Sequence, residues 1–244
     1  MRQETATRPL TDVAREELGA FGTQVFDLWP AAHHEVWVEL LSDPRLNRLL
    51  IIAPPGHAKS TWCTIIYPAW LVGRQPSVNI LLVSATAAQA RLFSAGVREA
   101  VVGSPAFADI FPGLAPDRKR GWGQNAWFVQ RPPDSNKDAT VAACGVGGPL
   151  IGRRADVIIV DDPCDQANTT TVARRDKLWQ WFRQTLLTRL RPNGRVIVVM
   201  TRWHEDDLAA RLIRSGEFAV CHLRALSDGP DVRATLTVPG AVLG

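Results

Sequence analysis

Short apolar runs alternate with longer amphipathic stretches through most of this chain. The runs are rich in Val, Ile and Leu and predict buried β-strands at residues 48–53, 79–84, 157–160, 196–200 and 218–223. Between them, apolar residues recur at helical spacing and predict α-helices at residues 31–41, 60–71, 87–102, 171–187 and 205–214. Residues 126–131 and 139–143 are expected to form a hairpin, against which Trp122 and Trp127 would pack.

Continuously apolar strands separated by amphipathic helices are typical of a mostly parallel sheet that carries helices on both faces. The pattern therefore predicts an α/β fold. Ligands of such sheets bind at the carboxyl ends of the strands. Residues 1–27 form a polar N-terminal segment, and the first 20 or so are expected to be frayed or loosely packed.

Composition narrows the class of protein only modestly. Hydrophobic residues make up 46% of the 244 residues, and no apolar run approaches the roughly 18 residues that a membrane span needs. The four cysteines form no Cys-x-x-Cys pair, which argues against a zinc site and a disulfide framework. The formal charge is +4, and only four of the 28 basic residues are lysines. An arginine excess suits phosphate contact, but so small a charge is weak support for nucleic-acid binding.

A candidate phosphate loop follows the first predicted strand. Its sequence, Ala-Pro-Pro-Gly-His-Ala-Lys-Ser-Thr at 53–61, opens a helix and approaches the G-x-x-x-x-G-K-[ST] motif, with Ala53 and Ala58 at the two glycine positions. Loop amides and a lysine would hold phosphates, and a hydroxyl would hold Mg²⁺. The candidate ATP-binding residues are Pro55, Gly56, His57, Ala58, Lys59, Ser60 and Thr61. The alternative is a plain strand–turn–helix with an exposed lysine.

A pair of carboxylates ends the strand at 157–160. Asp161 and Asp162 follow the apolar residues as in a Walker B motif, in which the first acid holds Mg²⁺ and the second polarises the attacking water. A solvated Asp-Asp-Pro turn is the alternative reading. The phosphate loop lies about 100 residues upstream, and the two motifs together are far more specific than either one.

These segments resemble the large subunits of bacteriophage terminases. The likeness rests on ordered blocks: Pro-Pro-Gly-His-Ala-Lys-Ser at 54–60, Gly-Gly-Pro-Leu-Ile-Gly-Arg-Arg at 147–154, Val-Ile-Ile-Val-Asp-Asp-Pro at 157–163, residues 181–190, and Thr-Arg-Trp-His-Glu-Asp-Asp-Leu at 201–208. It spans about residues 28–225 and implies a P-loop NTPase of the helicase-like (ASCE) branch. The activity that the resemblance implies is that of an ATPase motor, which moves double-stranded DNA into the procapsid in the host cytoplasm.

The resemblance also implies partners and roles. Terminase motors form a ring, usually of five copies, on the portal protein and act with a small terminase subunit, away from any membrane. One subunit's arginine completes its neighbour's site, and Arg153 and Arg154 are the candidates, with Arg154 preferred. The alternative is a salt bridge to Asp156. Thr201 matches the coupling motif, and His34 is a candidate contact to adenine, with a surface or core-edge role as the alternative.

Neighbouring residues have plainer expected roles. Thr86 would cap a helix or belong to a DNA-coupling motif at residues 84–86. Trp203 is expected to be a packing anchor, and the acids at 205–207 to cap the following helix rather than bind metal.

Some features depart from the family pattern. Ala58 replaces a glycine, and Asp162 stands where many terminases have glutamate, so Asp165 is an alternative base. Residues 226–244 are expected to be a linker or partial lid, and no nuclease domain is expected within this chain. The competing interpretations are a helicase-like translocase subunit, a non-hydrolysing nucleotide-binding or DNA-binding relic, and a small-molecule kinase.

Overall fold

The computed structural model describes residues 8–132, 137–150, 152–224 and 234–239. The α-helices are α1 (Leu10–Glu16), α2 (Leu18–Phe26), α3 (Ala32–Ser42), α4 (Tyr67–Arg74), α5 (Ala87–Gly103), α6 (Pro105–Ile110), α7 (Gln166–Thr169), α8 (Val172–Gln180) and α9 (Leu208–Ser215). The strands are β1 (Arg48–Ile52), β2 (Ile80–Ser84), β3 (Ala126–Trp127), β4 (Val141–Gly145), β5 (Ala155–Asp161), β6 (Leu190–Met200), β7 (Ala219–Leu223) and β8 (Ala234–Thr237). π-Helical turns at Thr61–Ile66 and Trp181–Leu186 precede α4 and follow α8. Within these ranges, no helix is both long and apolar enough to cross a bilayer.

All of these strands join one sheet in the order β3-β4-β2-β5-β6-β1-β7-β8. The pairs from β4 to β7 are parallel, and only β3 and β8, at the two edges, run antiparallel to their neighbours. The predicted mostly parallel α/β sheet is confirmed. Because β6 lies between β1 and β5, the carboxyl ends of these three strands meet at one edge of the sheet.

The strands are apolar on both sides because both faces of the sheet are covered. In β1, Leu49 and Ile51 belong to one core and Leu50 and Ile52 to the other, following the twofold alternation of a strand. Helices α1 to α6 cover the first face, and α8 and α9 cover the second. Complete burial of such a side chain contributes about 1.5–3 kcal/mol, so the strands that carry the candidate site are firmly anchored.

The N-terminal segment is not frayed from residue 10 onward, so that expectation is wrong. Ala14 of α1 and Leu18 and Phe21 of α2 are buried in the first core, and the last two, three residues apart, lie on one face of α2. Gly22 approaches the ring of Trp62 so closely that an added Cβ would lie 2.6 Å from it. A few apolar residues at helical spacing were enough to dock a segment that is mostly polar.

Two strands in the C-terminal half, β6 and β8, also differ from the sequence prediction. Strand β6 begins at Leu190, well before its apolar run, because Leu190 pairs with Ala155 at the start of β5. Within the expected linker at 226–244, Ala234–Thr237 adds an antiparallel edge strand to β7. Residues 225–233 and 240–244 lie outside the described residues.

Candidate nucleotide-binding site

The loop after β1 has the backbone of a phosphate cradle. Gly56 and Ala58 both adopt left-handed conformations, with φ of 80° and 54°. Such alternation of backbone conformations turns successive N–H groups toward a common concavity that suits anions. The amide of Trp62 donates to the carbonyl oxygen of Ala58 at 3.1 Å, so a helix begins directly behind the loop. Ala58 thus takes the conformation that the motif ordinarily assigns to glycine, at a cost of about 1–2 kcal/mol.

The carboxylate of Asp161 lies beneath this loop, at the end of β5. Only 1% of the residue is exposed. The Ser60 hydroxyl donates to Oδ1 of Asp161 at 3.0 Å, and the Thr64 hydroxyl donates to Oδ2. The fold therefore brings together the two residues predicted to hold Mg²⁺, Ser60 and Asp161.

Burial, helped by the neighbouring charge of Asp162, raises the pKa of Asp161 to about 7 against the lowering effect of the Thr64 and Ser60 hydroxyls. A buried carboxylate that is costly to ionise suits a place where a bound cation compensates its charge. Carboxylate and hydroxyl oxygens are also the ligands that Mg²⁺ prefers. The residues present fit the metal.

Asp162 connects the phosphate loop to the end of β6. Its Oδ2 lies 3.1 Å from Nζ of Lys59, a residue only 7% exposed, and its Oδ1 accepts from the amide of Thr201 at 2.7 Å. Its own backbone is left-handed, with φ of 40°, and its amide donates to the carbonyl oxygen of Val199. One side chain therefore contacts the predicted phosphate lysine and the predicted coupling residue at once.

His34 supports the phosphate loop from behind. Its Nδ1 accepts from the amide of Ala31 at 3.1 Å, which leaves Nε2 to donate to the carbonyl oxygen of His57 at 3.0 Å. Burial lowers the pKa of His34 below its ordinary value, in keeping with the neutral ring that this pattern requires. Both ring nitrogens are therefore engaged by the protein, and a contact of His34 with adenine stays a prediction.

The segment after Thr201 is held by Asp207. This side chain caps α9 by accepting from the amide of Ala210 at 3.0 Å, and it also accepts from the amide of Trp203 and from Arg202. The predicted capping role is confirmed for Asp207. The prediction that Trp203 is a packing anchor is wrong, because the residue lies in an irregular segment beyond the end of β6 and half of it is exposed (50%).

Arg153 and Arg154 lie at the amino edge of the sheet, where β5 begins, opposite the carboxyl edge that holds the candidate site. They precede β5, which is about 20 Å long at roughly 3.3 Å per residue, and Asp161 is at its other end. Arg154 is exposed, and its guanidinium donates to the carbonyl oxygen of Thr188 at 3.1 Å. Arg153 is partly buried. Neither arginine can reach the phosphate loop of its own chain.

Thr64 is the site residue that sequence reasoning missed. It lies four residues after Ser60, which places a second hydroxyl one turn further along the same helical face. It is fully buried within the π-helical turn at Thr61–Ile66, a feature that is frequent at functional sites. The sequence feature that could have identified Thr64 is its spacing of four residues from Ser60.

The remaining predicted polar residues have structural contacts. Thr86 caps α5 by accepting from the amide of Gln89. Trp127 is buried and packs against Trp122 as expected, with ring centroids 5.6 Å apart. Asp165 caps α7 by accepting from the amide of Asn168 at 2.8 Å. Thr86 and Asp165 are each tied to a helix start.

The sheet order and the contacts of Lys59, Ser60 and the acid pair define a P-loop NTPase fold. The chain is 30% identical over 207 residues to the terminase large subunit of Enterobacteria phage T3. This match confirms the resemblance to the phage terminase large subunits. It covers 80% of this chain and 33% of that protein, so the chain spans about a third of its relative.

One solved structure is also similar to this chain. The large terminase ATPase domain of Thermus phage P74-26 aligns with 71% of this chain and 70% of its own length, at 20% identity and a TM-score of 0.40. No protein-family profile matches the chain.

Proposed function

We propose that this chain is the ATPase motor of a phage terminase large subunit and couples ATP hydrolysis to translocation of double-stranded viral DNA into the procapsid. The similarity to the phage T3 subunit supports the family. The observation that carries the activity is the contact network in which Lys59 and Ser60 meet Asp162 and Asp161, respectively, at the carboxyl ends of β1 and β5.

In this proposal the phosphate loop binds the nucleotide. The backbone N–H groups of residues 56–61 surround the β- and γ-phosphates, and Lys59 neutralises part of their charge. Ser60 and Asp161 would hold Mg²⁺, which when bound neutralises phosphate charge that develops during transfer. Thr64 keeps the Asp161 carboxylate oriented through its own hydrogen bond.

Asp162 orients the attacking water and accepts its proton. Two observations support this role: 34% of the Asp162 side chain is exposed, which leaves room for water, and its carboxylate contacts Lys59, the proposed phosphate lysine. The hydrogen bond from the Thr201 amide links any movement of Asp162 to the end of β6. Thr201 is therefore proposed to report loss of the γ-phosphate to the DNA-gripping surface.

Arg154 is proposed to act in a neighbouring copy. Its place at the far end of β5 supports a role between subunits, and its greater exposure favours it over Arg153. A ring, five copies on the portal protein, would bring each Arg154 to an adjoining site, where it would stabilise the transition state. The small terminase subunit and the host cytoplasm complete the proposed setting.

The test is steady-state ATP hydrolysis as a function of protein concentration. A shared site requires that turnover per subunit climbs as copies associate, and sedimentation velocity should show association over the same range. Binding of a fluorescent ATP analogue is measured in parallel. If the chain neither binds nor hydrolyses ATP at any concentration, Ala58 has disabled the loop, and a relic or binding module is the correct interpretation.

A further inference from the structure

A cleft on the far side of the acid pair from the phosphate loop combines basic and aromatic side chains. It has a volume of about 420 Å³ and is lined by Ala85 after β2, Val146 and Gly147 after β4, and residues of α8 and its π-helical extension. In the sheet order, β2 and β4 follow β5 on the side away from β1. The cleft therefore opens on the same carboxyl edge as Asp161, where parallel sheets bind their ligands.

The α8 wall of the cleft presents two cations. Arg174 and Lys177 are three residues apart, so their Cβ atoms lie about 5–6 Å from each other on one helix face. Both are exposed, and neither side chain has a hydrogen-bond or ion-pair partner within the described residues. By contrast, Arg211 of α9 does have an ion-pair partner, since its guanidinium lies 2.8 Å from the carboxylate of Asp176.

Trp181 supplies a second, independent observation. It lies one turn beyond Lys177 and lines the same cleft, yet its indole N–H is buried with no acceptor in the described part of the chain. A buried donor without a partner costs about 1–3 kcal/mol. Because that N–H is closed off from solvent in the free protein, a shift of the Trp181 side chain would be needed to bring it to an oxygen of a bound ligand. Asp165 also lines the cleft, but its carboxylate caps α7.

We infer that this cleft, with Arg174, Lys177 and Trp181, binds phosphate groups of the duplex backbone; the inference rests on the proposed function and names its DNA-contacting surface. Two unpaired cations and an unsatisfied donor match phosphate oxygens. The contact carries no base information and is sensitive to salt.

The same turn of α8 is tied to the segment after Thr201. Arg175, which is buried, lies 3.5 Å from a carboxylate oxygen of Asp206, and Asp176 pairs with Arg211, which also binds Asp206 at 2.7 Å. The residues between the two cations are thus connected to the loop that follows the proposed coupling residue. A movement at Asp162 and Thr201 has a direct path to the DNA-binding face.

The test compares Lys177→Glu with Lys119→Glu, an identical charge reversal at another exposed lysine without an ion pair in the described residues. Binding of a short fluorescent duplex is followed by anisotropy at several salt concentrations. Lys177→Glu should weaken duplex binding about tenfold and lower the slope of log K against log salt by about one, whereas Lys119→Glu should change affinity less than about twofold. Trp181→Phe, which removes the indole N–H but keeps an aromatic ring in the cleft, should weaken duplex binding by a few-fold.

Binding of a fluorescent ATP analogue should be unchanged in all three variants, which shows that each is folded. Equal losses in the two lysine variants, or wild-type duplex binding by Lys177→Glu, would overturn the cleft while leaving the motor proposal intact. A Lys177→Glu defect in self-association alone would assign the cleft to a neighbouring copy. Wild-type protein that binds ATP but no DNA would overturn the motor proposal and the cleft together.

Discussion

The carboxyl and amino edges of the central sheet, where its parallel strands end and begin, differ in how far their charged side chains are paired within this chain. At the carboxyl edge, Lys59 and Ser60 are each joined to an acid, and Asp162 also binds the Thr201 amide. At the amino edge, Arg154 is exposed and contacts the carbonyl oxygen of Thr188, with no carboxylate partner in the described residues. The first edge is organised within one chain, whereas the second offers a charged group to another molecule.

Lys59→Ala should give the largest effect, since it removes the cation that the carboxyl edge is built around. Lys59 is almost fully buried against Asp162, so no nearby side chain can replace it. The rate of ATP hydrolysis, measured as inorganic phosphate released, should fall below detection. Lys119→Ala is the matched control and should keep wild-type turnover, with circular dichroism confirming that both variants fold. Substantial hydrolysis by Lys59→Ala would show that the cluster is not a nucleotide site.

Arg154→Ala should lower hydrolysis by about 10³-fold without affecting ATP binding, because a trans-acting arginine stabilises the transition state only. Arg153→Ala, at the less exposed neighbour, should have a smaller effect.

Mixing identifies where Arg154 acts. Arg154→Ala and Asp162→Ala should each be inactive alone but should recover part of the activity together, because some interfaces then pair an intact acid with an intact arginine. An absence of recovery, with both variants able to associate, would confine Arg154 to its own chain and remove the contrast between the edges.

A smaller pair of effects tests the loop itself. Gly56→Ala places a side chain at φ of 80°, and the left-handed backbone should cost about 1 kcal/mol, or roughly fivefold in nucleotide affinity. Ala58→Gly relieves the same strain at φ of 54°, partly offset by the greater freedom of glycine in the unfolded chain. Affinity for a fluorescent ATP analogue and the Tm should therefore move in opposite directions in the two variants. Shifts of the same sign would contradict the loop geometry.

Sequence reasoning located the parts of the molecule where one local signal decides the structure. Runs of branched apolar residues indicated β1, β2 and β5, and the loop and acid motifs at their ends came together as expected around Lys59 and Asp161. Burial on both faces of a parallel sheet leaves this mark directly in the sequence.

Other features depended on partners distant in the chain and could not be predicted in this way. The polar start of β6 is a strand only because β5 lies beside it, and the N-terminal helices dock through a few residues such as Phe21. Trp203 was expected to be a packing anchor, but its segment runs beyond the end of β6 and leaves the residue half exposed. The left-handed turn at Ala58 likewise appears only in the folded loop.

The length of β5 has a geometric consequence for an assembly of such chains. If Arg154 serves the adjoining copy, each subunit touches its own nucleotide at one end of this strand and its neighbour's at the other. The distance of roughly 20 Å between those ends then fixes the spacing of successive catalytic centres. Because β5 is hydrogen-bonded to β2 on one side and to β6 on the other, the sheet holds this distance fixed. For a given number of copies, the length of β5 would therefore set the radius of the circle on which the catalytic centres lie.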